Sequence, residues 1–282
     1  MKTAIQQFQL RDCFKNQESA QSTLQSIKAC GISGMELCGF LLAKLPPAIR
    51  LLCKMAGMSV PASGKLDWQS VITQSGLSVP SVHQDLNSIL ARADEVAEQA
   101  KSFGAKYVTV TGMRKFDYSD RAAVGKLCQE LNRAGELLKN RGVTLLYHNH
   151  NCEFVTASRH KPFDVITAET DSDSVGFELD AYWATEAGVD VCRLIDSLGK
   201  RLRLLHICDR GCNVKGSTSS IVSSHPMEVG CGNMNIAEIL KAAAPFVEYA
   251  VLEQTSHFES DAVNSMKVSA QNLRRIIEEN GL

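Results

Sequence analysis

The sequence predicts a (β/α)8 barrel, and three observations carry that prediction. Short β-rich runs alternate with longer stretches of helical periodicity along the whole chain. Eight such β-rich runs can be read. No glycine-rich phosphate loop follows the first of them, where Arg11-Asp12-Cys13-Phe14-Lys15 stands instead. Strand–helix alternation implies parallel strands joined by crossover helices. An open doubly wound sheet should carry the glycine-rich turn, so closure into a barrel is the better reading. The chain has 282 residues, the usual size of one such barrel, and no Pro-, Gly- or Ser-rich linker divides it. A single domain over 1–282 is therefore expected.

In order, strands are expected at 4–10, 34–38, 78–83, 107–111, 144–149, 175–180, 202–208 and 249–253. The first rests on Ile5, Phe8 and Leu10 interleaved with glutamines. Helices are expected between them. The helix at 18–29 stops at Gly31, and that at 88–103 stops at Gly104. The helix at 119–140 repeats Val124, Leu127, Leu131 and Leu138 on one face and stops at Gly142. Further helices follow at 162–170, 191–198, 236–243 and 262–280. Residues 41–75 are the least regular, with Pro46, Pro47 and Pro61. They read as a helix around 49–55 and an extended loop over part of the barrel mouth.

Composition narrows the function. Hydrophobic residues make up 44% and charged residues 22%, which is globular rather than disordered. Net charge is −1 with no basic cluster, so a nucleic-acid partner is not expected. No apolar run is long enough to span a membrane. The ten cysteines are scattered without a Cys-x-x-Cys pair. With no secretory leader visible, they read as reduced thiols of a cytoplasmic protein.

Chemistry should sit at the C-terminal strand ends. Glu36, His83, His148, His150, Glu178, Asp180, His206, Asp209 and Glu253 all lie at or near such ends. One strand histidine alone would read as a core residue, and one carboxylate as half of an ion pair. Strands buried on both faces should instead be apolar throughout. Six of eight ending in His, Asp or Glu are hard to explain by packing, because converging buried charge is costly unless paired or metal-bound. Side-chain alternation picks one inward residue from each of strands five to eight: His148, Asp180, His206 and Glu253. Glu178 shares the Asp180 face one layer deeper. Two imidazoles and two carboxylates suit one divalent ion such as Mn, Co, Zn, Fe or Mg better than Ca.

The strand ends also resemble a known family. Tyr147-His148-Asn149-His150 with Glu153-Phe154 is similar to the Tyr-His-Asn-His-x-x-Glu-Phe motif of the sugar phosphate isomerase/epimerase family, the xylose isomerase-like barrels. Phe177 to Trp183, Ala187-Gly188-Val189-Asp190, Leu205 to Asp209, Val229-Gly230-Cys231-Gly232 and Leu252-Glu253-Gln254 extend the likeness. Gln9-Leu10-Arg11-Asp12 adds to it at the start of the chain, so the likeness covers essentially the whole chain. The resemblance implies Glu, Asp, His and Glu as metal ligands, which fall on His148, Asp180, His206 and Glu253. The histidine at 148 departs from that pattern. Ketose epimerases of the family exchange a proton between two facing glutamates, and here only Glu253 holds such a place. Glu153 or His150 would supply the second base. Cys208 stands where many members have lysine, and Cys231 where glutamate is frequent.

The implied activity is metal-assisted proton abstraction next to a carbonyl of a sugar, sugar phosphate or cyclitol, giving isomerisation or epimerisation. Elimination from an inosose or 3-keto-glycoside is the alternative. Endonuclease IV-like repair fits poorly with seven histidines and no cationic groove. A sugar-binding barrel without turnover would not need the ligand set. Glu36, His83, Trp183 and Asp209 are expected to contact substrate, although His83 would equally fill the top layer and Trp183 equally serve packing. His160, His225 and His257 are expected to be solvated. No fourth ligand of matching spacing joins Cys208, Cys212 and His206, so a closed zinc site is not expected. A homo-oligomer is expected by analogy with the family.

Overall fold

The computed structural model describes residues 1–42, 62–113, 115–156, 160–212 and 221–282. The helix expected around 49–55 lies outside the described residues. Eight parallel strands close a barrel: β1 (Lys2–Gln6), β2 (Gly34–Cys38), β3 (Ser81–His83), β4 (Tyr107–Thr111), β5 (Thr144–His148), β6 (Val175–Asp180), β7 (Leu202–Ile207) and β10 (Tyr249–Leu252). β8 (Asp209–Gly211) and β9 (His225–Met227) form a separate antiparallel pair. Around the barrel the order is β1, β10, β7, β6, β5, β4, β3, β2, with β1 bonded to both β10 and β2. The (β/α)8 barrel expected from the sequence is what the chain adopts.

Alternation along the strands sorts two cores. Ala4, Leu146, Leu204 and Val251 face inward and fill the lower barrel with Tyr249. Their neighbours Leu145, Leu179 and Leu205 face outward into the larger core beneath the helices. His148 and His206 lie two residues beyond Leu146 and Leu204, so the same inward face carries them to the mouth. Helices begin where side chains satisfy the first N–H groups. Asp85, Asp120, Asp190, Asn235 and Asp261 all accept from backbone in this way. Gly142, at φ +76°, supplies the left-handed turn that ends the helix at Arg121–Lys139.

The first strand is shorter than its alternation suggests. It ends at Gln6, and residues Gln7–Cys13 turn into a 3-10 helix. The glutamines that read as the polar side of a strand are buried and tie separate strand ends together. Gln7 Oε1 accepts the Cys38 N–H at 2.8 Å, and Gln9 Oε1 accepts the Gln254 N–H at 2.9 Å. Two further elements carry no clear sequence signal: the β8–β9 pair and a short helix at Ala181–Glu186. Among the described residues no helix is long and apolar enough to cross a membrane.

Candidate active site and metal centre

Strand register brings the expected residues to one place. Asp180 pairs across from His206, which also lies opposite Val251, and His148 lies opposite Glu178. The polar atoms of His148, Asp180, His206 and Glu253 all come within 4.8 Å of one another. A second, overlapping group of His83, His148, Glu178 and His206 meets the same limit just beneath. Above them opens a cavity of about 310 Å³. His83, His150, Asp180, Trp183, Cys208 and Glu253 are on its wall, as are Phe8 and Phe40, whose rings lie 5.9 Å apart.

Local chemistry aims these groups. Asp180 ends β6 and caps the short helix after it: one carboxylate oxygen, Oδ1, accepts the Trp183 N–H at 2.9 Å. The other, Oδ2, is left toward His148 Nε2, 3.8 Å away. Asn149 clamps the same strand end, donating to the Asp180 carbonyl at 3.2 Å and accepting the Asp180 N–H at 3.0 Å. The asparagine of the Tyr-His-Asn-His run therefore fixes the distance between two candidate ligands.

His206 sits at the centre and is fully buried. Its Nδ1 lies 2.8 Å from Glu253 Oε2, and its Nε2 lies 2.6 Å from Glu36 Oε2. His83 Nε2 is 2.9 Å from both Glu36 Oε2 and Glu178 Oε2. Burial opposes the His83 cation, but the two carboxylates beside it prevail and raise its pKa to about 10. His206 is pushed in the same direction, against burial, by Glu178 and Glu36. Glu253 resists its burial and falls to about 2, because His206 bonds to it. Asp180 goes the other way: burial outweighs the nearby histidines and lifts it to about 6.

The donor chemistry fits a divalent ion. His148 Nδ1 and one oxygen each of Glu36 and Glu178 are buried without a hydrogen-bond partner. Buried polar atoms are rarely left so unless a ligand or ion completes them. Of the two groups, the upper one is better suited to an open site. Asp180 and Glu253 line the cavity, whereas Glu178 and Glu36 have no exposure. An open site needs an accessible position for water or substrate.

Several expectations about individual residues change. Glu36 and Asp209, expected to touch substrate, lie behind the wall. Glu36 is enclosed by Gln6, His83 and His206. Asp209 is spent on backbone N–H groups of Arg210, Gly230 and Met234, at 2.8 to 3.0 Å, so it holds the turn after the β8–β9 region. Glu153, offered as a second base, is fully buried; Oε1 accepts the Tyr147 hydroxyl and Oε2 the His150 N–H. Gly112 completes that enclosure, since a Cβ there would stand 2.5 Å from Glu153 Oε1. His150 does reach the cavity, and burial with the neighbouring His148 lowers its pKa to about 4, leaving it neutral. His257 is exposed, as expected, while His225 is half-buried, and their rings stack at 4.7 Å.

Sequence reasoning placed Glu178 on the inward face without giving it a role, and it passed over Phe8 and Phe40 on the wall. Glu178 had a signal, since it shares the inward face with Asp180. Phe8 had none, because its segment read as strand.

Comparison with known proteins agrees with the architecture. The family model described as xylose isomerase-like TIM barrel matches residues 24–278. A sugar phosphate isomerase/epimerase from Parabacteroides distasonis superposes with a TM-score of 0.72 at 19% identity, covering 98% of this chain and 95% of its own. The IOLI protein with a bound zinc atom gives 0.69 at 15% identity, with 99% of each chain covered. The probable 3-DHS dehydratase AsbF of Bacillus anthracis gives 0.67 at 14% identity, covering 97% of this chain and 99% of its own. No curated protein matches the sequence.

Proposed function

The chain belongs to the xylose isomerase-like TIM barrel family, and we propose that it is a divalent-metal-dependent enzyme that moves a proton next to a carbonyl of a sugar or cyclitol. The observation that carries this reading is the meeting of His148, Asp180, His206 and Glu253 within 4.8 Å at the cavity floor. A likeness to the zinc-bound IOLI protein supports the choice of a metal. These four residues would hold the ion, which would supply Lewis acidity beside the substrate carbonyl.

The protein's own groups do the rest. Glu253, a carboxylate on the cavity wall, takes the proton from the carbon beside the carbonyl. His150, a neutral imidazole on the same wall, stands ready to exchange a proton from another side. Trp183 lies beside His150, with ring centroids 5.8 Å apart, and offers a flat apolar face to a sugar ring. Phe8 and Phe40 bound the cavity elsewhere and limit water around the reacting carbon.

Elimination is the second reading. Among the described residues Glu253 is the sole glutamate on the cavity wall, so the symmetric two-glutamate exchange has no second partner here. Loss of a β-substituent after the first proton transfer needs only one base and one acid. The likeness to a dehydratase points the same way. One experiment tests both readings: metal analysis of the purified chain, then proton–deuterium exchange on a panel of ketoses, inososes and 3-keto-glycosides. Exchange dependent on the bound metal is expected. Its absence across the panel in metal-loaded protein would overturn the proton-transfer reading, and product analysis separates epimerisation from elimination.

A further inference from the structure

Glu36 lies one layer below the cavity on β2, across the barrel from the strands that supply the candidate ligands. Its carboxylate has no exposure. Its Oε2 nevertheless gathers three nitrogens: Gln6 Nε2 at 2.8 Å, His83 Nε2 at 2.9 Å and His206 Nε2 at 2.6 Å. The register that sets Gln6 beside Glu36 comes from the β1–β2 pairing.

The orientation of the Gln6 amide decides what Glu36 does. Gln6 Oε1 accepts the Phe8 N–H at 3.1 Å and the Cys38 thiol at 3.0 Å. Its Nε2 must therefore face Glu36 as a donor, and an amide nitrogen cannot accept. Glu36 Oε2 is thus an acceptor, and the nitrogen of His206 that meets it carries the hydrogen. Glu178 Oε1 also comes within 3.1 Å of this nitrogen, but not in hydrogen-bond geometry. The other His206 nitrogen, Nδ1, faces Glu253 Oε2 at 2.8 Å beside the cavity, where a bound ion would take the place of its hydrogen.

We propose that Glu36 is a positioning residue that acts through His206, holding its Nε2 hydrogen from beneath and so presenting Nδ1 as the metal-ligating nitrogen at the cavity floor. The proposal rests on the metal-site reading above. A ligating imidazole whose far N–H sits on a carboxylate is fixed in one tautomer and one ring orientation, and its ligating nitrogen is made more basic. The partner is invisible from the ligand set itself, because it comes from β2 and not from the strands that carry the ligands.

The test uses the whole chain, with cobalt(II) binding followed by absorption, nitrogen NMR of the histidine rings with and without zinc, and thermal melting of the metal-free protein. Glu36→Gln is expected to weaken cobalt binding by about 10- to 100-fold, a loss larger than any fall in the metal-free melting temperature accounts for. Gln6→Met, which leaves the Glu36–His206 bond in place, should keep more affinity than Glu36→Gln. In the wild type, zinc should shift His206 Nδ1 while Nε2 keeps its proton. Equal cobalt affinity in Glu36→Gln overturns the proposal. So does a loss of affinity matched by a fall in metal-free melting temperature, which would mark a merely structural role. Should Glu36→Gln fail to fold, the wild-type spectrum decides: zinc on Nε2 rejects the proposal, zinc on Nδ1 upholds it. A wild type that takes up neither ion sinks the metal reading and this role with it, whereas the other failures leave the metal reading standing.

Discussion

At the N-terminal end of the barrel, Glu248 accepts from Lys2 and Lys106 at 2.8 and 2.9 Å, and all three side chains are open to water. At the C-terminal end, Glu36 and Glu178 meet three histidines with almost no exposure. The chemistry of the pairs is similar and the setting is opposite. Solvent screens the lower pairs, so they contribute little and imply nothing about function. The upper charges have lost their water, and each would cost several kcal/mol unless partners replaced it. Charge kept where it is costly, beside a cavity, marks a site with work to do. Between the two ends the barrel interior is mostly apolar, with Ala4, Leu146, Leu204 and Val251 beside the hydrogen-bonded Ser81–Thr109 pair. The fold therefore does not depend on the mouth for its core.

That contrast can be broken at either end. The largest effect is expected at the proposed metal ligands. Asp180→Asn or His206→Ala should abolish metal uptake while leaving the helical circular dichroism intact. Elemental analysis showing full occupancy in both variants would remove these residues from the ligand set. Next comes Glu253→Gln, which keeps an oxygen ligand but loses the basic carboxylate. Deuterium exchange into substrate should fall by roughly 10²- to 10⁴-fold, with a smaller change in metal content; a silent variant would make Glu253 a ligand alone.

A sharper comparison sets His150 against Glu153, three residues apart but on different sides of the cavity wall. His150→Gln should reduce exchange with little loss of stability. Glu153→Ala should instead destabilise, by about 1–3 kcal/mol, because it removes the acceptor of the buried Tyr147 hydroxyl and of the His150 N–H. Denaturant melts and exchange rates on both variants separate the roles. If Glu153→Ala abolished exchange at unchanged stability, it would be the base and His150 would not. The smallest effect belongs to the lower end. Glu248→Gln should leave metal content and exchange unchanged and shift the melting temperature by no more than about 2 °C.

The sequence by itself determined the strand–helix alternation, hence a parallel barrel, and the inward phase of its strands. Three strands, 34–38, 107–111 and 175–180, fall where the sequence places them. The same phase singled out His148, Asp180, His206 and Glu253, because alternation reports which face a side chain joins. Tertiary structure alone decided what those side chains meet. Glu36 and His206 are 170 residues apart and touch only once the barrel has closed. No local period records that distance. Burial likewise decided the fate of Glu153 and Asp209, whose oxygens could serve a substrate or a backbone N–H equally well until packing supplied the backbone. The glutamines at 6, 7 and 9 show the same limit. A polar residue in an alternating run reads as solvent-facing, yet here each is buried because a neighbouring strand end offers it a partner.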